Sequence, residues 1–335
     1  MKIIFFSIAT ASQLPRVFVL ARSLKRHHPN SKFVLLLLER TVHLSAEYSS
    51  FIDEVKLPKD IKINEWVYLL FAHSSIDVSG AFKGHFFKYL LEKYPEGEII
   101  VHVDPDMYAL GPFDELVAET TNAPIVLVPH LLEPSSEGEF YRELLILLDG
   151  VFHSGLIAVK NCKESKRFSS WWGNLSLSHV DDMTAGNYMD QKWLSYAPNF
   201  FDTAILYHPG YFVASWNLHE RGNKLIRENG GFMLENVPLR CFGFHNINGI
   251  FDRAIQAFSN DENETLKEII FIYQQELRWM DCSHFLPEEW GYGYFGDETK
   301  ISDKDRLKYR ESESLRHKIP NPFLVSAKEF RNGGI

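Results

Sequence analysis

Three unbroken apolar runs constrain this chain more than any other feature. Residues 3–6 read Ile-Ile-Phe-Phe, residues 33–38 read Phe-Val-Leu-Leu-Leu-Leu, and residues 99–103 read Ile-Ile-Val-His-Val. Short runs without alternation are what strands look like when a sheet is covered on both faces. Between the first two, Pro15 suits a helix start, and Val17, Leu20, Ala21 and Leu24 recur at helical spacing until His27-His28-Pro29-Asn30 stops them. Strand over 2–8, helix, then strand over 32–38 opens an α/β fold. The same N-terminus imitates a short signal peptide, with Lys2, an apolar run and the small stretch Ala9-Thr10-Ala11. The helix and strand that follow at once favour the strand.

The rhythm continues along the chain. A short element is expected over 51–57, a helix over 82–94 with Phe86, Phe87, Leu90 and Leu91 on one face, and a strand over 98–103. Further strands are expected over 124–129 and 155–159, with helices over 137–148 and 163–176. After Asp202 the text turns aromatic and rich in Gly and Pro, with strand-like pieces at 204–207 and 239–245. Residues 262–279 form an amphipathic pattern with Leu266, Ile269, Ile270, Tyr273 and Leu277 on one face, expected to pack on the rest of the chain rather than on a membrane. The last thirty residues are charged and broken by Pro320 and Pro322.

Composition narrows the function classes. With 335 residues the chain has room for one large α/β domain and an appendage. A net charge of -9 argues against the basic face that nucleic acid requires. Three separated cysteines, Cys162, Cys241 and Cys282, build neither a disulfide framework nor a zinc site, which fits a reducing, cytoplasmic setting. No run reaches the ~18 apolar residues of a membrane span.

The strongest chemical signal is Asp104-Pro105-Asp106, at the end of the third apolar run. Carboxylates at i and i+2 of an extended backbone share one side, and the proline stiffens the pair. Two convergent carboxylates at the carboxyl end of a sheet strand suit a hard divalent cation, which in turn binds phosphate. On local grounds alone a metal site and a chance pair are equal readings. Asp303-Lys304-Asp305 has the same spacing without a strand, and reads as solvated surface.

Four segments occur in order: Asp104-Pro105-Asp106; Asp190-Gln191-Lys192-Trp193; Pro209-Gly210-Tyr211 with Trp216-Asn217-Leu218-His219-Glu220-Arg221; and Phe244-His245-Asn246-Ile247-Asn248-Gly249. Together they resemble metal-dependent glycosyltransferases of the GT-A fold, in the family-8-like retaining branch that includes glycogenin and bacterial lipopolysaccharide galactosyltransferases. The resemblance implies a Rossmann-like, mostly parallel sheet flanked by helices over residues 1–250, with a helical and aromatic extension over 251–335. It implies a nucleotide-diphosphate sugar donor, a glycan or lipid-linked glycan acceptor, Mn²⁺ or Mg²⁺ as cofactor, and a role in surface polysaccharide or lipopolysaccharide synthesis. Work at the inner face of a membrane, by peripheral association, would fit such an acceptor.

Site roles follow from the same resemblance. Asp104, Asp106 and His245 would hold the metal, with Asp104 also near the donor ribose, and Gly249 would let backbone approach the diphosphate. By its neighbours Phe242 and Phe244 alone, His245 reads as a core histidine. Lys83 would contact donor phosphate or sugar, although by itself it reads equally as a surface lysine. Thr10 and Ser12 would edge the nucleotide. His153-Ser154-Gly155 would face the donor sugar, with His153 replacing the family's asparagine and so bearing on which sugar is accepted. Asp190 and Gln191 would lie near the anomeric carbon, Asp190 reading otherwise as a helix cap; Trp193 would pack below.

Retention implies that the leaving phosphate takes the acceptor's proton while Asp190 and Gln191 steady the sugar; inversion would call on Asp190 or Asp202 as base. A sugar nucleotidyltransferase would need a Gly-rich basic loop after the first strand, where Ala9-Thr10-Ala11-Ser12-Gln13 stands. A non-enzymatic carbohydrate-binding protein would draw on aromatic text such as Trp290-Gly291-Tyr292-Gly293-Tyr294-Phe295, which also suits an acceptor cleft, a lid or a core.

Overall fold

A computed structural model describes residues 2–41, 44, 50–61, 63, 65–135, 141–178, 180, 189–245, 263–280 and 289–333. The first half alternates strands and helices: β1 (Ile3–Ala9), α1 (Leu14–His27), β2 (Lys32–Leu37), β3 (Glu54–Lys56), α2 (Trp66–Ala72), α3 (Ser75–Lys93), β4 (Ile99–Val103) and β5 (Met107–Ala109). Then come α4 (Asp114–Glu119), β6 (Ile125–Pro129), α5 (Tyr141–Asp149), β7 (Phe152–Lys160), α6 (Lys163–Ser178), α7 (Met189–Leu194), α8 (Ala197–Phe200) and β8 (Thr203–Ile205). Short elements follow: β9 (Val213–Ala214), α9 (Leu218–Arg221), β10 (Leu225–Glu228), β11 (Gly231–Leu234), β12 (Val237–Pro238) and β13 (Cys241–Gly243). The C-terminal part is helical, with α10 (Glu264–Trp279), α11 (Asp303–Glu311), α12 (Glu313–Lys318) and α13 (Ala327–Arg331).

Seven strands form the central sheet in the order β3-β2-β1-β4-β7-β6-β8. All neighbours are parallel except at β7, which runs antiparallel to both β4 and β6. The apolar runs are continuous because successive side chains feed two different cores. Phe5, Phe33, Leu35, Val101 and Val103 join one core with α1, α4 and α10. Ile4, Phe6, Val34, Leu36 and Ile100 join the other with α2, α3, α6 and the C-terminal segment. The strand reading of the N-terminus holds, since β1 lies between β2 and β4. A small sheet, β5-β13-β9, sits beside the main one, and β10-β11-β12 form a third.

The structure departs from expectation in several places. Helix α3 begins at Ser75, well before residue 82, capped where Ser74 Oγ accepts the Asp77 N–H at 3.4 Å; α2 before it was not expected at all. The last thirty residues are packed rather than merely charged: Tyr309, Phe323 and Phe330 are buried around Phe71. Asp305 is not solvated surface but 4 % exposed, capping α11 through Ser302 and accepting from Arg331 Nε at 3.0 Å and Nη2 at 2.9 Å. Tyr292 and Phe295 also lie in that core, packing on Phe323 and Phe71. Helix α10 packs inward as expected, burying Leu266, Ile269 and Tyr273.

Candidate active site

Strand pairing brings the end of β4, the start of β7 and the end of β13 together. β4 ends at Val103, and the Asp104 N–H donates to Gly155 O at 2.8 Å, tying the end of β4 to the start of antiparallel β7. The chain turns at once into β5, with Met107 N–H donating to Asp104 O at 3.1 Å. β5 pairs with β13, Met107 opposite Gly243, and the Phe244 N–H donates to Asp106 O at 2.9 Å. The next residue, His245, therefore stands over the aspartate turn. Its Nε2 lies 3.3 Å from Asp106 Oδ1 and 3.6 Å from Asp104 Oδ2.

From below, α3 supplies Lys83. Its Nζ donates to Ser154 Oγ at 2.8 Å and lies 3.2 Å from Asp190 Oδ2 and 3.5 Å from Asp104 Oδ1. Asp190 is the second residue of α7, not its cap, and approaches α3 only because residue 80 is glycine: a Cβ there would stand 2.9 Å from Asp190 Oδ1. Gln191 Oε1 accepts the Ser154 N–H at 3.1 Å while its Nε2 donates to Asp149 O at 3.0 Å, so both ends of the amide are used.

The electrostatics follow from burial. Lys83 is 7 % exposed, and not a surface lysine. Burial works against its charge, but Asp104 and Asp190 outweigh that and raise its pKa. Burial likewise pushes Asp104 up, yet Lys83 and His245 hold it well below the usual carboxylate range. Asp106 goes the other way: burial and neighbouring Asp104 raise it, against His245 and Arg16. His245 is raised because Asp106 and Asp104 overcome its desolvation, whereas burial takes His102 and His130 down to about 4.

Three carboxylates thus share one lysine and one histidine, an excess of negative charge that a divalent cation would balance. The donor set fits such an ion. Asp106 Oδ1 and His245 Nδ1 are buried without a hydrogen-bond partner, and one ligand atom each from Asp104, His153 and His245 fall within 4.8 Å of one another. Carboxylate and imidazole together suit Mn²⁺ and allow Mg²⁺.

The structure brings Lys83, Asp104, Asp106, His153, Ser154, Gly155, Asp190, Gln191 and His245 together. Thr10 and Ser12 sit on the loop after β1, where their hydroxyls are 3.0 Å apart. Gly249, like Asn246 to Asn248, lies outside the described residues. Trp193 is part of the packing near Tyr196, as expected. Sequence reasoning missed His102, whose Nδ1–H donates to Ser154 O at 2.9 Å; a polar residue inside an apolar run was the available signal. It also missed His130 and Phe212, which flank His153 at centroid distances of 4.8 and 4.0 Å. Phe212 holds a left-handed φ of 54°, a strained conformation for an aromatic residue and one that no pattern announces.

No family model and no curated relative matches the sequence. Among solved structures, the chain is similar to the galactosyltransferase LgtC crystallised with donor and acceptor sugar analogues: 13% identity, 87% of this chain and 99% of that chain covered, TM-score 0.50. Mouse xyloside xylosyltransferase 1 is matched at 16% identity over 74% of this chain and 99% of that one, with TM-score 0.42. The glycosyltransferase GlyE of Streptococcus pneumoniae is matched at 13% identity over 95% of this chain and 72% of that one, with TM-score 0.45. The likeness to LgtC establishes the fold, the mixed α/β architecture that the motif set implied.

Proposed function

We propose that this protein is a metal-dependent glycosyltransferase that moves a sugar from a nucleoside-diphosphate donor to a glycan or lipid-linked glycan acceptor, with retention of anomeric configuration. The observation that carries the reading is the meeting of Asp104, Asp106 and His245 at the carboxyl end of β4, on a fold shared with a galactosyltransferase. Asp104, Asp106 and His245 would hold a divalent ion, which supplies charge stabilisation to a departing diphosphate. Lys83 keeps its proton and ties the carboxylates of Asp104 and Asp190 to one ammonium. Asp190 would offer negative charge to an oxocarbenium-like sugar, and Gln191, held at both ends, would set the wall beside it. Thr10 and Ser12 would edge the nucleotide, and Ser154, Gly155 and Gly249 the sugar and diphosphate.

Surface polysaccharide or lipopolysaccharide synthesis at the inner face of a membrane fits this reading. No helix among the described residues is long and apolar enough to cross a membrane. The outward leucines of α5, Leu144, Leu145, Leu147 and Leu148, are each more than half exposed, and α5 ends at the Asp149 carbonyl that Gln191 binds. That is support for a peripheral contact beside Gln191.

The test is ¹H NMR of a panel of nucleotide sugars with the protein and Mn²⁺. Turnover is expected for at least one donor, lost in Asp106→Ala, with the released or transferred sugar keeping the donor's anomeric form. Turnover that is unchanged in Asp106→Ala sinks the metal-dependent reading, and an inverted product sinks retention.

A further inference from the structure

His153 opens β7, and its ring is locked before any ligand arrives. It lies flat on Trp216, centroids 4.8 Å apart at 14°, and edge-on to Phe212 at 4.0 Å. His245 joins the same cluster, 5.3 Å from His153 and 5.1 Å from Trp216. Residue 155 must be glycine for this arrangement: an added Cβ would stand 2.3 Å from Asp104 Oδ2 and 2.7 Å from His153 Nδ1. The cradle over Gly155 is therefore where the Asp104 carboxylate and the His153 ring edge converge, and Asp104, His153 and His245 each place a ligand atom within 4.8 Å of the others.

We infer that His153 is itself a metal ligand, so that the centre is built from two carboxylates, Asp104 and Asp106, and two imidazoles, His153 and His245. The inference rests on the metal-dependent reading of the site and adds a residue to it. The Gly155 N–H donates to His153 Nδ1 at 2.7 Å, which holds the lone pair in place. His153 would offer that lone pair to a bound ion, giving up the Gly155 N–H···Nδ1 hydrogen bond for a metal–nitrogen bond. The two carboxylate charges balance the dication, and neither imidazole has to lose a proton beyond its neutral form.

Two nitrogens change which ion the centre prefers. Mg²⁺ and Ca²⁺ take oxygen ligands, whereas imidazole suits first-row transition ions. This centre accordingly selects Mn²⁺ or Co²⁺ over Mg²⁺ more strongly than a centre with a single histidine would.

Pulsed EPR of Mn²⁺ alone, added to the full chain, counts directly bound ¹⁴N. Two nitrogens are expected in the wild type, and one in each of His153→Asn and His245→Asn. Calorimetry should show Mn²⁺ affinity falling at least about tenfold in His153→Asn, with Mg²⁺ affinity changing much less. A wild-type count of one nitrogen, or two retained in His153→Asn, overturns the inference while leaving the metal-dependent reading in place. No Mn²⁺ bound to the wild type overturns both. The wild-type count decides the matter even if the variant fails to fold.

Discussion

Lys83 carries an unusual share of the site for one residue. A buried ammonium against two carboxylates and a hydroxyl leaves each group costly to expose alone. Removing one member of a buried ion pair costs ~3–5 kcal/mol, because the remaining charge keeps its desolvation without its partner. Lys83→Met should therefore lower stability to urea by about that amount, even with Mn²⁺ absent, and Lys83→Arg should not restore it, since a planar fork does not replace a compact ammonium. A Lys83→Met protein as stable as the wild type would show that the ion pairs contribute nothing. Little of this was readable beforehand. The text around Lys83 gives a basic residue on a helix, and its burial is decided by Ser154 and Asp190, which arrive from β7 and α7. Asp104 and Asp106 were legible because strand, spacing and proline are all local. His153 was legible as a site residue but not as a neighbour of Asp104, which depends on the antiparallel register of β4 and β7.

At the scale of elements, α3 shows why a helix could be found and yet misjudged. Gly80 weakens helical propensity just ahead of residue 82, where the expected helix begins, and Gly84 weakens it inside that helix. The structure gives both glycines a purpose. Gly80 admits Asp190, and Gly84 is the crossing point of α3 on α6, where an added Cβ would stand 2.4 Å from Gly173 N and 2.6 Å from Gly173 Cα. The two effects predict opposite signs for Gly84→Ala. Propensity alone gives a gain of up to ~1 kcal/mol, while overpacking against unyielding backbone costs typically ~1–3 kcal/mol. Backbone cannot rotate aside as a side chain can, so the loss should win, and the thermal midpoint should fall. Gly97→Ala is a useful contrast: it meets nothing within 4 Å, but its φ of +86° strains any side chain, so its loss has a conformational cause. A raised midpoint in Gly84→Ala would show that the helices can separate. The C-terminal helices escaped the sequence for a related reason: their charged text hides single aromatics that only the fold collects into one cluster.

Across the whole molecule, the histidines decide how stability responds to acid. Burial lowers His85, His102 and His130 to about 4, and lowers His153 well below its usual value. In the unfolded chain each returns to about 6.5. Between those values the unfolded state binds protons that the folded state refuses, so stability falls as pH falls. The contribution is fully present above pH 6.5 and is lost progressively down to about 4, where the folded groups protonate as well. Each of His85, His102 and His130 accounts for at most about 3 kcal/mol. His245 and Asp106 run the other way: their raised pKa values mean that protonation favours the folded state, so they offset part of the loss. Burial also lowers His27, His28 and His208 and raises Glu39 and Asp149; with seven lowered histidines against one raised histidine and three raised carboxyls, the net slope is toward instability in acid. Urea unfolding at pH 7.5, 6.0 and 5.0, in the absence of added metal, should give midpoints that decrease in that order. A flat or rising series would mean that the buried histidines are protonated in the fold, their protons held by the site's excess negative charge.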